Sequence, residues 1–348
     1  MVDIDGAQKE EDVGVLIPVG SGKGGVGKTV FTANLGAVLA SYGKTVIVVD
    51  LDLGGANLHT YLGVRNKHPG VGSIIWKKEK KLENLVVPTG VDRLFLVPGD
   101  NLLPGTANLD FFTKRRIMKE LQELTADYVL LDLGAGASYN VVDFWLMAPD
   151  GILVTAPEVP AILNAYSFLK TAAFRLLFRS FGKGSEERER IVDFVINRVE
   201  GQGDTFLTFA QRLAADSAAK GATRGDNSGE HALAELARLR PRVVVNMGSG
   251  QDDAVIAQRL REISSRNLGV GMEYIAYIMR DQAVAASLSD RAPLSATNPD
   301  SMFVRGVRAA ADRILKTPAA AAPGLDLDDE DLFTMIERAF DEEGQPTL

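Results

Sequence analysis

Short apolar runs rich in β-branched residues alternate with longer segments of helical periodicity along most of the chain. The runs predict strands and the periodic segments predict helices. This alternation is typical of a doubly wound α/β fold, a mostly parallel sheet with helices on both faces. The predicted strands are Val13–Val19, Thr45–Asp50, Leu94–Val97, Tyr128–Asp132, Gly151–Thr155, Ile191–Ile196, Val243–Asn246 and Glu273–Ile278. The predicted helices are Lys28–Ser41, Phe111–Leu124, Ala161–Arg179, Asp253–Ser265 and Met302–Leu315.

The pattern also divides the chain. Residues 1–316 form one predicted domain, in which 182–240 are an expected insertion that contains a flexible loop at Ser217–Gly229. Residues 317–324, with the sequence TPAAAAPG, are a predicted linker. Residues 325–348 form an acidic tail, in which Leu327–Phe340 has apolar side chains at the spacing of a short amphipathic helix.

Composition excludes several classes of protein. The chain is 46% hydrophobic and has no cysteine, so disulfides, thiolate metal sites and cysteine-ligated iron–sulfur clusters are ruled out. No apolar run approaches the ~20 residues of a membrane span, and the polar N-terminal segment does not resemble a secretory signal. A cytoplasmic location is therefore expected.

The net charge of −8 is a local property. Residues 325–348 hold nine acids and one arginine, which leaves 37 acids and 37 bases in the rest of the chain. The body is balanced, so a local anion-binding face remains compatible with the composition.

The strongest chemical motif is a glycine-rich loop between the first strand and the first helix. It matches G-x-x-x-x-G-K-[ST], the phosphate loop of nucleotide-binding proteins. In such a loop backbone N–H groups surround the phosphates, the lysine reaches the outer phosphates and the hydroxyl ligates Mg²⁺. The predicted nucleotide-binding residues here are Gly22, Lys23, Gly24, Gly25, Val26, Gly27, Lys28, Thr29 and Val30.

Two further predicted strands end in carboxylates. Asp50 and Asp52 end the second strand, and two carboxylates at neighbouring positions of this kind need not share a role. Asp132 ends another apolar strand and is followed by Gly134 and Gly136, which fits a Mg²⁺-binding aspartate and a mobile loop that senses the γ-phosphate. None of the three histidines forms a metal or triad pattern.

The loop carries an extra lysine, Lys23, which gives it the sequence KGGVGKT. With this loop the chain resembles the MinD/ParA family of deviant Walker A ATPases. These are P-loop NTPases of the SIMIBI type. The resemblance implies ATP and Mg²⁺ as cofactors and a homodimer in the ATP state. It also implies that Lys23 crosses the dimer interface to the partner's phosphates, a contribution worth ~10³–10⁵ in rate when a cation is supplied in this way.

The same resemblance assigns roles to the carboxylates. Asp52 orients or deprotonates the attacking water, which makes Asp52, Lys23 and Lys28 the predicted catalytic set. Thr29, Asp50 and Asp132 form the predicted Mg²⁺ site. Gly134, or alternatively Gly136, offers an N–H to the γ-phosphate.

Two asparagines compete for recognition of the base. Asn246 and Asn197 each end a predicted strand, the usual source of an amide for adenine in this family. Asn246 is preferred because the strand after it leads to Asp281, which resembles the loop that borders the base. The sequence does not separate ATP from GTP.

Residues Pro157 to Tyr166 resemble the P-E-x-x-A-x-x-x-A-Y segment of the FlhG-like branch, which controls flagellar number and placement. The expected function is an ATP-dependent dimerising switch for spatial regulation of flagella or another polar assembly. A protein partner is expected on the dimer surface or the tail, because the acidic tail does not resemble the membrane helix of MinD. Any membrane or polar association is expected to be transient and through partners. The N-terminal motif by which FlhG activates its GTPase partner is absent.

Two alternatives remain. A ParA-like partition ATPase needs an exposed basic face for DNA, and a nucleotide-binding scaffold needs no hydrolysis, which the intact Asp52 disfavours. Solvated helix faces are the preferred interpretation of the basic candidates, which are Lys114, Arg115, Arg116, Lys119, Arg175, Arg179, Lys183, Arg188 and Arg190.

Overall fold

The computed structural model describes residues 14–65, 67–99, 109–197, 203–221 and 228–316. Its strands are β1 (Val15–Ser21), β2 (Val46–Leu51), β3 (Val87–Pro88), β4 (Leu94–Val97), β5 (Tyr128–Ala135), β6 (Ile152–Thr155), β7 (Arg242–Gly248) and β8 (Glu273–Met279). Its α-helices are α1 (Lys28–Ser41), α2 (Leu58–Tyr61), α3 (Gly72–Ile75), α4 (Phe111–Gln122), α5 (Tyr139–Trp145), α6 (Val159–Arg179), α7 (Glu186–Asn197), α8 (Phe206–Gly221), α9 (Ser228–Arg238), α10 (Asp253–Leu268), α11 (Ala283–Asp290), α12 (Leu294–Thr297) and α13 (Met302–Lys316). A 3₁₀ turn at Leu82–Leu85 precedes β3.

The strands form one sheet in the order β3-β4-β2-β5-β1-β6-β7-β8. All neighbours are parallel except β3, which runs antiparallel to β4 at the edge. From β1 the chain first builds one side of the sheet with β2, β3 and β4, and after β5 it builds the other side with β6, β7 and β8. The carboxyl ends of the parallel strands β1, β2 and β5 therefore lie together, beside the start of α1. Crevices at such reversal points are the usual ligand sites of open α/β sheets.

Each face of the sheet has its own apolar core. One core joins the sheet to α1, α12 and α13 through residues such as Phe31, Leu35 and Phe303. The other joins it to α4, α5, α6, α8 and α10 and contains Trp145 and Phe168. These two layers of helices confirm the predicted doubly wound α/β class.

All five predicted helices and seven of the eight predicted strands are present in the described residues. The predicted strand Ile191–Ile196 is wrong, because this segment lies within α7. Its side chains follow helical spacing: Ile191 is buried and Phe194 stacks on Phe209 with ring centroids 4.1 Å apart, while Ile196 is exposed. Packing against the next helix therefore overrides the strand preference of an apolar, β-branched run.

Residues 182–240 contribute α7, α8 and α9 between α6 and β7. The predicted loop at Ser217–Gly229 is wrong at both ends, since α8 extends to Gly221 and α9 begins at Ser228. The predicted linker 317–324 and acidic tail 325–348 lie outside the described residues. Within the described ranges, the helices are too short or too polar to cross a membrane.

Candidate functional site

The glycine-rich loop joins β1 to α1 at the carboxyl edge of the sheet. Gly25 and Gly27 have φ values of 85° and 82°, a conformation that side-chain-bearing residues rarely adopt. This conformation lets the loop turn sharply into α1, whose first residue is Lys28. The N–H groups at the start of α1 therefore face the space enclosed by the loop, a favourable arrangement for phosphate.

A buried ion pair closes the base of this loop. Lys28 Nζ lies 2.7 Å from Asp132 Oδ1 at the end of β5, and both side chains are more than nine-tenths buried. Thr32, one turn further along α1, donates from Oγ1 to the same oxygen at 3.1 Å. Thr32 was not predicted from the sequence, although its place four residues after Lys28 puts it on the same helix face.

Asp50 is fully buried next to Asp132, its direct neighbour across β2 and β5. Its two oxygens accept hydrogen bonds from the N–H groups of Asp52 and Leu58 at 3.1 and 3.0 Å. Burial, and then repulsion from Asp132, raises the pKa of Asp50 to about 7. The site therefore holds two carboxylates and one lysine, an excess of negative charge suited to a cation.

Asp132 also leaves an acceptor free. Its Oδ2 is buried and has no hydrogen-bond partner within the described residues. No three His, Asp or Glu side chains of that part of the chain form a cluster that could hold a metal ion alone. A Mg²⁺ ion commonly combines one or two carboxylates with waters and substrate phosphates, so Asp132, Asp50 and Thr29 fit that ion beside a phosphate chain.

Asp52 lies outside this buried pair, half-buried at the end of β2. A Cβ on Gly134 would lie 3.6 Å from Asp52 Oδ1, so the carboxylate lies beside the last residues of β5. A cavity of about 180 Å³ opens beside both residues and continues towards Val141 and Phe144. Asp52 and Gly134 are therefore neighbours at the ends of β2 and β5, and the prediction that Gly134 belongs to a loop is wrong because it lies in β5.

Lys23 lies at the outer rim of the loop. Lys23, Gly24 and Gly25 are exposed, Thr29 is half-buried, and Val26 and Val30 are buried. No ion pair of Lys23 with another described residue is found. The predicted phosphate-binding residues are therefore contiguous around one space, and Lys23 points its charge away from the interior.

The first turns of α6 support the loop from the other side. A Cβ on Gly22 would lie 2.1 Å from the carbonyl oxygen of Asn164, so the two backbones are in direct contact. Asn164 belongs to the Pro157–Tyr166 segment, whose resemblance gave no reason to expect this contact. Only the requirement for glycine at position 22 hinted at it.

Asn246 lies beside the phosphate loop at the end of β7. Its Nδ2 donates to the carbonyl of Val26 at 2.9 Å, and a Cβ on Gly27 would lie 2.3 Å from that nitrogen. Asn197 instead ends α7 and is exposed, so it does not follow a strand. Of the two candidates, only Asn246 has the predicted place in the fold.

A cavity of about 210 Å³ adjoins Gly27, Val30, Asn246 and Asp281. The carboxylate of Asp281 accepts hydrogen bonds from the N–H groups of Ala283 and Phe303 at 2.8 and 3.2 Å. Asp281 therefore borders this cavity, while its oxygens fix the starts of α11 and α13.

Several of the basic candidates bind within the molecule. Buried Asp143 of α5 accepts from Lys114 of α4 and from Arg175 of α6, the latter through two hydrogen bonds of 2.7 and 2.9 Å. Burial alone would raise the pKa of Asp143, but the hydrogen bonds from Arg175 and Lys114 hold it below its ordinary value. Arg179 lies 3.5 Å from the same carboxylate.

The comparisons with known proteins agree with this geometry. The model of the CobQ/CobB/MinD/ParA nucleotide binding domain matches residues 17–294. The septum site-determining protein MinD of Thermotoga maritima is 32% identical over 189 residues, which cover 53% of this chain and 65% of MinD. The antiactivator FleN of Pseudomonas aeruginosa is 24% identical over 311 residues, 88% of this chain and 89% of FleN. The matched part spans less than two thirds of the MinD relatives.

Solved structures show the same fold. The cell division ATPase MinD of Pyrococcus furiosus is similar, with a TM-score of 0.59 at 20% sequence identity. The aligned part covers 87% of this chain and 99% of that MinD chain. MinD of Pyrococcus horikoshii, solved in complex with Mg-ADP, has a TM-score of 0.57 at 20% identity, with coverage of 88% and 99%.

Proposed function

The chain belongs to the CobQ/CobB/MinD/ParA nucleotide-binding family, and we propose that it is a Mg²⁺-dependent ATPase that works as an ATP-dependent dimerising switch. One observation carries the proposal. Lys28, Asp132, Asp50 and Asp52 converge under one glycine-rich loop, while Lys23 projects from its rim. The first four provide the charges for binding and hydrolysing a nucleoside triphosphate, and Lys23 provides a charge for a second chain.

Asp132 and Thr29 are the proposed Mg²⁺-binding residues, with Asp50 behind them. The free Oδ2 of Asp132 and the excess negative charge of the carboxylate pair support this assignment. These residues would hold a Mg²⁺ ion beside the phosphates, where it would supply positive charge to offset the charge that develops on the transferred phosphoryl group. Lys28 bonds to Asp132 in this structure and is placed to exchange that partner for a phosphate oxygen.

Asp52 is the proposed base that orients the attacking water. It is half-buried beside Gly134, and no salt bridge joins its carboxylate to another residue of the described ranges. A positioned carboxylate of this kind contributes typically ~10²–10⁴ in rate. The N–H of Gly134, in the last residues of β5, is the proposed contact with the γ-phosphate.

Lys23 is proposed to act in the partner subunit of a nucleotide-bound homodimer. Its exposure and the lack of an ion partner among the described residues leave its charge available to another chain. Dimerisation would then depend on the triphosphate, because two lysines of the sister chains face anionic phosphates only when these are bound.

Spatial regulation, as in flagellar placement, is the proposed biological role. The FleN relative supports it because the similarity extends over 88% of this chain. The ParA-like alternative is weaker, since Lys114, Arg175 and Arg179 are bound to Asp143 rather than presented to DNA. Adenine recognition by Asn246, with Asp281 at the pocket border, completes the proposed ATP site.

Sedimentation velocity with saturating Mg·ATP tests the switch. An Asp52→Ala chain should bind ATP without hydrolysing it and sediment as a dimer. Adding Lys23→Ala should return it to the monomer with nucleotide still bound, whereas the lysine control Lys44→Ala, at the opposite edge of the sheet, should leave the dimer intact.

Two results would contradict parts of the proposal separately. A chain that stays monomeric with bound ATP would remove the dimerising switch and leave a nucleotide binder. Undiminished phosphate release from Asp52→Ala would remove Asp52 from the catalytic set.

A further inference from the structure

A second charged surface lies away from the nucleotide site, at the β3–β4 side of the molecule. It is made by the segment Trp76–Lys81, with the sequence WKKEKK, and by the adjoining face of α4. We call it the Trp76 patch. The segment leaves the end of α3 and leads to the 3₁₀ turn at Leu82–Leu85. No residue of the proposed ATPase site belongs to it.

The patch is one continuous surface because α4 binds the segment directly. Arg116 Nη2 donates to the carbonyls of Glu79 and Lys80 at 3.2 and 3.1 Å. Glu120, one turn further along α4, accepts from the N–H of Leu82 at 3.1 Å. These bonds fix the lysine-rich segment to a helix rather than leaving it as a loose loop.

The lysines of the segment keep their charges available. Lys77, Lys78, Lys80 and Lys81 are exposed, and no salt bridge joins them to a carboxylate of the described residues. The acid between them, Glu79, is turned onto its own backbone. Its Oε1 accepts from Lys80 N at 2.6 Å and from Asn84 Nδ2 at 3.0 Å.

Arg115, on α4, is the fifth exposed cation of the patch, after the four lysines of the segment. Lys119 is set aside because it pairs with Glu123 at 3.4 Å. The acidity of the chain as a whole therefore hides a local concentration of positive charge.

Two aromatic side chains project from the same surface. Trp76 is 55% exposed, in contrast to Trp145, which is fully buried. Phe112 is 79% exposed and lies four residues before Arg116 on the same face of α4. Exposed aromatic rings beside exposed cations make this surface amphipathic, with an apolar and a charged part.

The backbone of the segment takes an uncommon conformation at one residue. Lys77 has a φ of 56° at the end of α3, where Lys78 N bonds to Ser73 O at 2.9 Å and Lys77 N to Ile74 O at 3.1 Å. Glycine is the usual residue in this left-handed position, and a lysine there costs stability. The chain thus carries a lysine where folding alone favours glycine.

From this combination we propose that the Trp76 patch binds an anionic lipid bilayer surface. Exposed lysines are attracted to acidic headgroups, and an amphipathic ring such as that of tryptophan lies at headgroup depth. Nucleic acid fits less well, because Arg116, whose guanidinium could hold a phosphate through two hydrogen bonds, donates instead to backbone carbonyls. This association would not use a membrane-spanning helix.

Vesicle co-sedimentation of the full chain without nucleotide tests the proposal. Binding should be strong to phosphatidylcholine vesicles with roughly one third phosphatidylglycerol, negligible to phosphatidylcholine alone, and weakened by salt. Each change of Lys77, Lys78, Lys80 or Lys81 to Gln should lower the partition coefficient about fivefold, so the fourfold variant should lose more than a hundredfold.

The matched control changes four other exposed cations to Gln, namely Lys183, Arg259, Arg266 and Lys316. It has the same net charge as the fourfold patch variant and should lose less than threefold in vesicle binding. Equal losses in the two variants would show that only net charge matters and would overturn the assignment to this patch. Because the assays contain no nucleotide, failure here leaves the proposed ATPase untouched.

Tryptophan emission gives an independent readout. Trp145 is buried and donates to the carbonyl of Ile152, so a blue shift on adding vesicles should come from Trp76. Trp76→Phe should abolish the shift and retain most of the binding, while Trp76→Ser should lose both the shift and about tenfold in affinity. Emission that does not shift, or patch-dependent binding to duplex DNA or to a peptide of residues 325–348 but not to vesicles, would overturn the proposal.

Discussion

One buried carboxylate, Asp143, holds together the three helices that follow β4, β5 and β6. Its carboxylate accepts hydrogen bonds from Lys114 of α4 and Arg175 of α6, and Arg179 lies close by. Asp143 belongs to α5, which begins three residues after Gly136. Asp143 therefore ties α5, which follows β5 closely, to α4 and α6.

Replacing Asp143 with asparagine should cost about 3–5 kcal/mol of folding stability, because it leaves partly buried cations without a counter-charge. Urea unfolding of the nucleotide-free chain measures this cost. Asp204→Asn is the matched control, since Asp204 pairs with Arg212 at an exposed position where the loss should stay below about 1 kcal/mol. Similar costs for the two variants would contradict the special role of Asp143.

The carboxylate pair in the proposed Mg²⁺ site predicts a dependence on pH. The pKa of Asp50 is about 7 in the folded chain and near its ordinary value of 3.8 when unfolded, so the folded state binds the proton more tightly. Its stabilising effect is complete below pH ~4 and is lost as the pH rises through ~7.

Asp132→Asn removes the repulsion that contributes to this shift. The stability of the variant relative to the parent should therefore improve between pH 5 and pH 8, by about 1–2 kcal/mol. Denaturant unfolding at several pH values without Mg²⁺ or nucleotide gives the comparison. A stability difference that stays constant over this range would mean that Asp132 does not set the protonation of Asp50.

At the scale of elements, the phosphate loop depends on the start of α6 as well as on β1 and α1. Gly22→Ala should destabilise the chain by ~3 kcal/mol or more, because the new Cβ would lie 2.1 Å from Asn164 O and backbone must move to admit it. Gly24→Ala is the control, since its Cβ would find only Ala135 Cβ at 3.9 Å.

Thermal unfolding without nucleotide separates the two alanine variants from effects on ATP. Gly24→Ala should stay within about 0.5 kcal/mol of the parent. Equal stability of both variants would mean that α6 moves away from the loop at little cost.

The elements around the site were predictable because their signals are local. The glycine spacing, Lys28 and the aspartates at strand ends are all adjacent to clear apolar strands, so parallel pairing brings them to one edge. The contact between Gly22 and Asn164, and the bond from Thr32 to Asp132, join residues more than 95 positions apart. No local pattern encodes such pairs, which appear only when α1 and α6 are packed on the sheet.

The error at α7 has a related cause. The run from Ile191 to Ile196 alternates too little to separate a strand from a helix, and its β-branched residues favour the strand. The contact of Phe194 with Phe209 of α8, and the exposure of Val192, Val195 and Ile196, make the helix the better fit. This information lies in the tertiary packing and not in the segment.

At the scale of the whole molecule, the described part of the predicted insertion 182–240 shares its apolar core with the sheet. Phe206, Phe209 and Leu213 of α8 belong to the same buried cluster as Leu153 of β6 and Val243 of β7. A unit that shares its core with the central strands should unfold together with them.

Leu213→Ala tests this unity, since Leu213 is fully buried on α8. If the core is continuous, the change should cost about 2–5 kcal/mol and shift the unfolding of the whole chain.

In a Trp76→Phe background, fluorescence reports Trp145, which packs on Phe168 beside β6, while far-ultraviolet circular dichroism reports all helices. The two transitions should shift together, and Ile196→Ala, at a 72% exposed site of α7, should move neither by more than about 0.5 kcal/mol. If the Trp145 transition stays in place while part of the helical signal melts earlier, α7 to α9 fold as a separate unit and the boundary of the ATPase core lies at α6.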